Sequence, residues 1–124
     1  MKSFTRIPKK IESHEGCIAS AMEIIGNKWT ALILRDLHEG PKRFGELEKS
    51  LSGINPASIH ISRISPRTLS QRLDDLEKCG ILNKQIFSEV PPRTEYTLTP
   101  KGRDLIPVLQ QMAAWGDKYY SARA

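Results

Sequence analysis

Four side chains that can hydrogen-bond to bases or phosphates closely follow Ser65-Pro66: Arg67, Thr68, Gln71 and Arg72. Serine is a preferred N-cap, and proline at the first helical position loses no intrahelical hydrogen bond, so a helix is predicted to begin here. Arginine can pair with two acceptors of guanine, and glutamine with two sites of adenine. Arg67 and Gln71 are therefore candidates for reading base edges, against the alternative of an ordinary solvated helix face.

This helix carries its charges in a definite order. Its basic and hydrogen-bonding groups lie in the first turns, whereas Asp74, Asp75 and Glu77 come later. The dipole and free N–H groups of a helix N-terminus attract phosphate, and the early residues of a helix can reach base edges in the major groove. The order of charges favours a helix inserted N-terminus first into DNA, with its acidic end clear of the backbone and a leucine stripe turned to the core.

A proline-stiffened β-hairpin is predicted to follow the helix. A β-prone run, residues 81–90, leads to Pro91-Pro92-Arg93, and residues 94–98 alternate as a second strand. We expect the rigid turn to present Arg93 away from the domain. An arginine must be placed in this way to enter a minor groove or to clamp a phosphate.

Helical patterns with capping signals account for most of the remaining chain. Gly26-Asn27 separates a first helix from a second, Gly40-Pro41 ends the second, and Thr99-Pro100 starts the last. The last helix carries an apolar band wider than one small core requires, and Pro107 is expected to bend it near its start. The other stripes are assigned to the core: Ile18, Ala21, Met22 and Ile25; Trp29, Leu32, Ile33 and Leu37; Phe44, Leu47 and Leu51; Leu69, Leu73 and Leu76.

Size and composition limit the class of protein. The chain has 124 residues, 27% of them charged and 39% hydrophobic, with a formal net charge of +5, which suits one moderately basic globular domain that gains from a dimer partner. Such a balance favours polyanionic partners without singling one out. No apolar run has the length of a membrane span and Met1–Arg6 lacks the apolar core of a signal peptide, so a cytoplasmic protein with no membrane partner is expected.

Taken together, these residues resemble the HxlR-type winged helix-turn-helix family of bacterial regulators, relatives of the MarR group. The resemblance spans about residues 17–120 and depends on Cys17, Ile25-Gly-Asn-Lys-Trp-Thr-Ala-Leu-Ile-Leu34, Arg43-Phe44-Gly45-Glu46-Leu47, Leu69 to Gly80, Val90-Pro-Pro-Arg-Thr-Glu-Tyr-Thr-Leu-Thr99 and Trp115. It implies a homodimeric transcription factor that binds double-stranded DNA at a palindromic promoter site. The fourth helix would read the major groove, and the wing would reach the flanking minor groove.

The resemblance and the residue chemistry together define two predicted surfaces. The predicted DNA contacts are Ser65, Arg67, Thr68, Gln71, Arg72, Arg93 and Arg63. The first and last helices would form the dimer, through Ile18, Met22, Leu105, Leu109, Met112, Trp115 and Tyr119.

The two cysteines are read as thiols rather than as a disulfide scaffold or a zinc site. By resemblance, Cys17 falls where several family members carry a cysteine that senses oxidants or electrophiles. A helix N-terminus also favours the reactive thiolate form of a thiol. A small residue at the dimer seam is the alternative for Cys17. Cys79 is expected to follow the helical stripe into the core and to be inert.

An insertion, Asn55 to Ile64, separates the third helix from the helix that begins at Ser65. A helix-turn-helix turn usually has about 3 to 4 residues, so this connection is greatly extended relative to the family pattern. Longer loops add little closure entropy, so the fold should survive it. His60, Ser62 and Arg63 would add contacts to the DNA backbone, or the segment is a mobile loop.

The predicted fold is mainly α (α+β), a winged helix-turn-helix with a two-stranded β-wing and a C-terminal dimerisation helix. Its parts are a basic arm at 1–16 and a domain at 17–124, with the recognition helix at about 65–79, the wing at about 82–98 and the dimerisation helix at about 100–120. No cofactor and no metal is expected, whereas a small-molecule or oxidant effector is compatible with the family. The alternatives are a winged helix used as a protein-interaction module and, less favoured, an enzyme using His14 with Cys17.

Overall fold

The computed structural model describes residues 15–52 and 64–120. In chain order these form α1 (Glu15–Ile25), α2 (Lys28–His38), β1 (Lys42–Arg43), α3 (Phe44–Ser52), α4 (Pro66–Lys78), β2 (Leu82–Phe87), β3 (Arg93–Leu98), α5 (Pro100–Arg103) and α6 (Ile106–Tyr120). The order of helices, capped basic helix, hairpin and terminal helix agrees with the sequence. Residues 1–14 of the predicted arm and residues 55–63 of the predicted insertion, Arg63 among them, lie outside the described residues, whereas Glu15 and Gly16 of the arm belong to α1.

A small antiparallel sheet packs against α2, α3 and α4, with strand order β1-β3-β2. The β2–β3 hairpin is in register from Leu82 opposite Leu98 to Phe87 opposite Arg93. The third strand, β1, places Lys42 opposite Tyr96. Sequence patterns did not predict β1, because two residues after a proline are too short to show alternation.

One hydrophobic core joins α2, α3, α4, the sheet and the start of α6. Its fully buried side chains include Ile33, Leu34, Leu47, Leu69 and Leu73. Ile64 is also buried in this core. The last residue of the predicted insertion therefore belongs to the packed domain and leads directly into α4.

Side-chain caps fix the starts of the helices at the predicted positions. Asn27 accepts a hydrogen bond from the Trp29 backbone N–H at 2.8 Å and begins α2. Ser65 and Thr99 cap α4 and α5 in the same way. Because a cap satisfies an otherwise unpaired backbone donor, each one sets where its helix begins along the chain.

The C-terminal helical segment is two helices rather than one bent helix. Helix α5 ends at Arg103, Asp104 and Leu105 form a turn, and α6 starts at Ile106. Pro107 explains the break between the two helices, since proline has no N–H to donate to the carbonyl group of residue i−4 and its ring clashes with that carbonyl group. The continuous helix at about 100–120 is therefore replaced by a single turn and a separate 15-residue helix.

The end of α4 is a Schellman turn that directs the chain into the sheet. The N–H of Ile81 donates to the Leu76 carbonyl at 2.9 Å, and the N–H of Gly80 donates to the Glu77 carbonyl at 3.0 Å. Gly80 has φ +76°, which glycine adopts without strain. The prediction that Cys79 enters the core is wrong: Cys79 is exposed, because the turn brings Ile81 rather than Cys79 against Leu76.

The start of α5 packs closely on this turn. The Thr99 hydroxyl lies 2.5 Å from the Gly80 carbonyl oxygen and 3.0 Å from that of Ile81, and it accepts a hydrogen bond from Gly102 N–H at 3.0 Å. A Cβ atom on Gly102 would collide with the Ile81 carbonyl oxygen. The junction of α4, β2 and α5 therefore requires a glycine at this position.

Among the described residues, no single helix has both the length and the apolar character needed to cross a bilayer. Helices α1 and α2 have the required length and apolar character only as a pair, and the two helices are bent by 74° relative to each other.

We expect Gly102→Ala to lower the free energy of unfolding by about 1–3 kcal/mol, because the added methyl group must displace backbone rather than a flexible side chain. Gly45→Ala is the matched control, since no atom lies within 4 Å of the Cβ that it adds. Urea denaturation of both variants measures the difference. Equal stabilities would show that the α4–α5 junction is not closely packed.

Candidate nucleic-acid interface

Burial of three leucines sets the rotation of α4. Leu69 is 0% exposed, Leu73 1% and Leu76 4%. The helix period then turns the opposite side of α4 to solvent, where Arg67, Thr68, Ser70 and Gln71 are exposed. The groups predicted to bind DNA thus lie together on the outer side of the first two turns.

Ser65 organises the N-terminus of α4. Its Oγ accepts a hydrogen bond from the Thr68 backbone N–H at 3.1 Å and donates to Thr68 Oγ1 at 2.9 Å. Pro66 occupies the first turn, where its missing N–H leaves no acceptor unsatisfied. The first turn is therefore held in place by residues that are themselves exposed.

Asp75 holds two of the predicted DNA contacts. Gln71 Nε2 donates to Asp75 Oδ1 at 3.0 Å, and an Arg72 guanidinium nitrogen lies 2.6 Å from Asp75 Oδ2. Arg67 has no ion pair within residues 15–52 and 64–120. Arg67 is therefore available to a ligand, whereas Gln71 and Arg72 would have to give up their contacts with Asp75 to bind one.

The acidic half of α4 lies near the base of the sheet. Burial raises the pKa of Tyr96, and the carboxylates of Asp74 and Glu77 raise it further. The two carboxylates therefore lie close enough to the Tyr96 hydroxyl to disfavour its ionised form. Asp74 and Glu77 thus follow the exposed donors of the first two turns of α4, whereas Asp75 pairs with Gln71 and Arg72.

Arg93 lies against the wing and does not extend from it. Its guanidinium stacks over the Phe87 ring at 4.2 Å and lies 3.3 Å from a Glu89 carboxylate oxygen and 3.4 Å from one of Glu95. Phe87 is the residue opposite Arg93 in the hairpin, and Glu95 lies two residues along the same face of β3. The expected outward guanidinium is thus replaced by one that cross-links the two strands, and its side chain is only 25% exposed.

The wing tip consists of Val90, Pro91 and Pro92, all of which are exposed. The sequence predicts the wing contact at Arg93 and gives Pro91 and Pro92 only the role of a rigid turn that presents it. The sequence signal for an exposed tip was a branched apolar residue followed by two prolines, because proline has no N–H to donate to the hydrogen bonds of a hairpin.

The start of α4 and the wing tip belong to one surface. A groove between α3 and α4 is lined by Gly45, Glu48, Lys49, Ser52, Ile64, Ser65 and Pro66. A second groove, between α3 and the wing, is lined by Arg43, Phe44, Gly45 and residues 89–94. Because Gly45 borders both grooves, the N-terminus of α4 and the tip of the hairpin lie on either side of the start of α3.

Apolar side chains are also exposed on α6 and on α1. Val108, Met112, Trp115 and Tyr119 recur at helical spacing, and they are between 39% and 59% exposed. Met22 of α1 is exposed, and Ile18 is half-buried. Leu105 and Leu109 instead pack partly buried against the core of the same chain. The predicted dimer residues of α6 and the turn before it therefore divide into two groups. Leu105 and Leu109 hold α6 against the core, whereas Met112, Trp115 and Tyr119 are exposed.

Cys17 is exposed in the first turn of α1. His14, which the enzyme alternative requires, lies outside the described residues. Among those residues, no three His, Cys, Asp or Glu side chains come together as a metal site.

A capped polar helix preceded by a shorter helix, together with a hairpin whose tip adjoins it, defines the winged helix-turn-helix class of regulators. Comparison with known proteins narrows this class. The family model for the HxlR-like helix-turn-helix matches residues 24–124. The chain belongs to this family of transcriptional regulators, as its motifs predicted.

Individual relatives agree with this assignment. The chain is 38% identical over 109 residues to the HTH-type transcriptional regulator YdeP of Bacillus subtilis, covering 87% of this chain and 77% of the relative. A regulator assigned to the MarR family from Enterococcus faecalis V583 superposes with a TM-score of 0.70 at 36% identity, over 85% and 86% of the two chains. The redox regulator HypR in its oxidized form gives a TM-score of 0.68 at 31% identity, over 84% and 97%.

We expect Ser65→Ala to lower the free energy of unfolding by about 1 kcal/mol, because it removes the acceptor for the Thr68 N–H at the start of α4. Ser70→Ala changes an exposed serine within the same helix and serves as the control. Chemical denaturation followed by circular dichroism compares them. A Ser70→Ala loss as large as that of Ser65→Ala would contradict the capping role.

Proposed function

We propose that the protein is a homodimeric regulator that binds a palindromic promoter duplex in the cytoplasm, with α4 in the major groove and the wing at the flanking minor groove. The observation that carries this proposal is the N-terminal end of α4, which is capped, exposed and rich in donors. A helix dipole and several donors at one exposed end match a phosphate-lined groove. The net charge of +5 supports attraction to the duplex.

Arg67 is the proposed reader of sequence. It extends from the first turn of α4 with no ion pair in the described part of the chain, so it loses no protein contact on binding a guanine edge. Thr68 lies beside it, while Gln71 and Arg72 reach DNA by releasing Asp75. Contacts by Ser65 and Arg63 remain predictions for the same groove.

The dimer proposal depends on the uncovered face of α6. Met112 is 50% and Trp115 59% exposed, and Trp115 lies 5.3 Å from the ring centre of Tyr119. A contiguous aromatic and aliphatic stripe of this kind on a surface helix marks an association site. A second copy of the chain can cover it symmetrically, with Met22 and Ile18 of α1 at its edge, and would bring two α4 helices to one duplex.

Oxidant sensing by Cys17 is the proposed regulation. The thiol is exposed, so a small oxidant can reach it, and α1 is part of the proposed dimer surface. The similarity to a redox regulator with 97% coverage of that chain supports the assignment. Diamide would oxidise the Cys17 thiols of the two copies to one disulfide and would itself be reduced to the hydrazine, and a peroxide would oxidise Cys17 to a sulfenic acid with release of water. Either product changes the size and polarity of the side chain, which would alter the spacing of the two α4 helices.

Sequence-specific binding is tested by Arg67→Ala with genomic fragments that the wild-type protein retains. We expect affinity for the selected duplex to fall by about 1–3 kcal/mol while affinity for random duplex changes little, because a base contact carries the discrimination. Lys78→Ala removes the same charge from the last turn of α4 and is the control. Equal binding of the wild-type protein to every duplex would instead favour the protein-interaction module.

Dimer formation is tested by Met112→Asp, which places a carboxylate within the apolar stripe. We expect the dimer dissociation constant to rise by about 100-fold in sedimentation equilibrium, since burying an unpaired charge is strongly unfavourable. Gln110→Asp adds the same charge to α6 away from the stripe and should leave the dimer intact. A wild-type protein that stays monomeric at micromolar concentration would contradict the proposal.

Oxidant sensing is tested by treating the protein–DNA complex with diamide. We expect the wild-type protein to change its affinity for the selected duplex by about tenfold or more and to recover with a thiol reductant, as reversible thiol oxidation requires. Cys17→Ser should not respond, whereas Cys79→Ser, which alters the other exposed thiol, should respond as wild type does. A persisting response in Cys17→Ser would remove Cys17 from the mechanism.

A further inference from the structure

The wing ends in an uncharged tip, although a cation was expected there. Val90 is fully exposed, and Pro91 and Pro92 beside it are exposed too. The nearest arginine, Arg93, is drawn back along the hairpin onto Phe87. The connection between β2 and β3 therefore begins with the exposed polar residues Ser88 and Glu89 and ends with three exposed residues, Val90, Pro91 and Pro92, that carry only apolar side chains.

Arg93 is ion-paired with two carboxylates and stacked on Phe87 within the wing, although its buried Nε makes no hydrogen bond. The two carboxylates of Glu89 and Glu95 face one guanidinium, so this cluster has a net charge of −1. If Arg93 left for a phosphate, both carboxylates would remain unpaired close to a polyanion, and the stacking on Phe87 would be lost. The contacts favour Arg93 as a cross-link that holds the two strands together next to the tip.

The tip lies where DNA would pass. Gly45 borders both the groove beside the wing tip and the groove beside Ser65 and Pro66 at the start of α4. A duplex that receives the first turns of α4 would therefore run past the wing tip as well. Apolar side chains, proline among them, can enter a minor groove and contact sugars and base edges there without adding charge.

We propose that the wing contacts the minor groove through Val90, Pro91 and Pro92, and that Arg93 is a positioning residue that holds this tip in place. The inference deepens the proposed DNA binding and depends on it. It assigns the wing an apolar contact and removes Arg93 from the set of phosphate ligands.

Two variants separate the apolar contact from an ionic one. Val90→Ser makes the tip polar without touching the hairpin ladder. Glu89→Gln combined with Arg93→Gln removes the ion pairs and the stacking of Arg93. It removes one negative and one positive charge, so the net charge stays the same. Affinity for the selected duplex is measured over a series of salt concentrations for the wild-type protein, each variant and their combination, with thermal unfolding as a check of folding.

We expect Val90→Ser to weaken binding by about fivefold, since contact with apolar surface is lost, and to leave the slope of log K against log salt unchanged. The charge-balanced variant should also weaken binding without changing the slope. In the combined variant the Val90→Ser effect should shrink, because Val90 then lacks its support, whereas a purely structural role of Arg93 would leave the two effects additive.

Other results would overturn the inference. A slope that falls by about 0.9 per wing in the charge-balanced variant would show that Arg93 neutralises a phosphate. Unchanged binding by Val90→Ser would show that the tip does not touch DNA, and this variant remains informative even if the charge-balanced one fails to fold. If the wild-type protein preferred no duplex at all, the proposed DNA recognition itself would fail, which is a separate outcome from either.

Discussion

Burial of the Leu69, Leu73 and Leu76 stripe is the constraint on which the rest of the structure depends. Each buried leucine contributes about 1.5–3 kcal/mol relative to exposure, so rotating α4 about its axis would be strongly unfavourable. The rotation of α4 decides which side chains face outward. The position of Arg67 and Thr68 on the solvent side is thus a direct consequence of packing on the other side of the same helix.

The junction after α4 fixes the position of the wing relative to α4. Gly80 turns the chain, Ile81 packs back on Leu76, and Thr99 and Gly102 close over the turn from the far end of the hairpin. Both ends of the hairpin are thereby fixed to the end of α4. The base of the wing is consequently fixed to the end of α4, and the Arg93 contacts join the two strands farther along the hairpin.

Local signals in the sequence were sufficient for most of the fold. Asn27, Ser65 and Thr99 predicted where helices start, because capping is a short-range interaction. The helical spacing of the α4 leucines predicted which side of that helix is buried. The motifs then identified the family, which the comparisons confirm. Element order, the hairpin and the exposed face of α4 could all be predicted in this way.

Features that depend on contacts between distant residues could not be predicted from the sequence. Strand β1 exists only through pairing with β3, and Cys79 is exposed only because Ile81 takes the core position through the Schellman turn. Arg93 illustrates the same limit at the candidate site, because no sequence period shows that Phe87, Glu89 and Glu95 converge on one guanidinium. Pro107 predicted a bend near the start of the last helix, but not that α5 and α6 would be separate helices.

The proposed function combines the capped end of α4 with the uncovered stripe of α6, because a dimer formed through α6 would hold two α4 helices at a fixed separation. Protection of guanine N7 from dimethyl sulfate tests this most directly, because N7 lies in the major groove. On a duplex selected by the wild-type protein, we expect two protected clusters, centred about 10 base pairs or a multiple of that apart, and loss of protection with Arg67→Ala. Guanines that remain fully reactive throughout a bound duplex would contradict major-groove reading by α4.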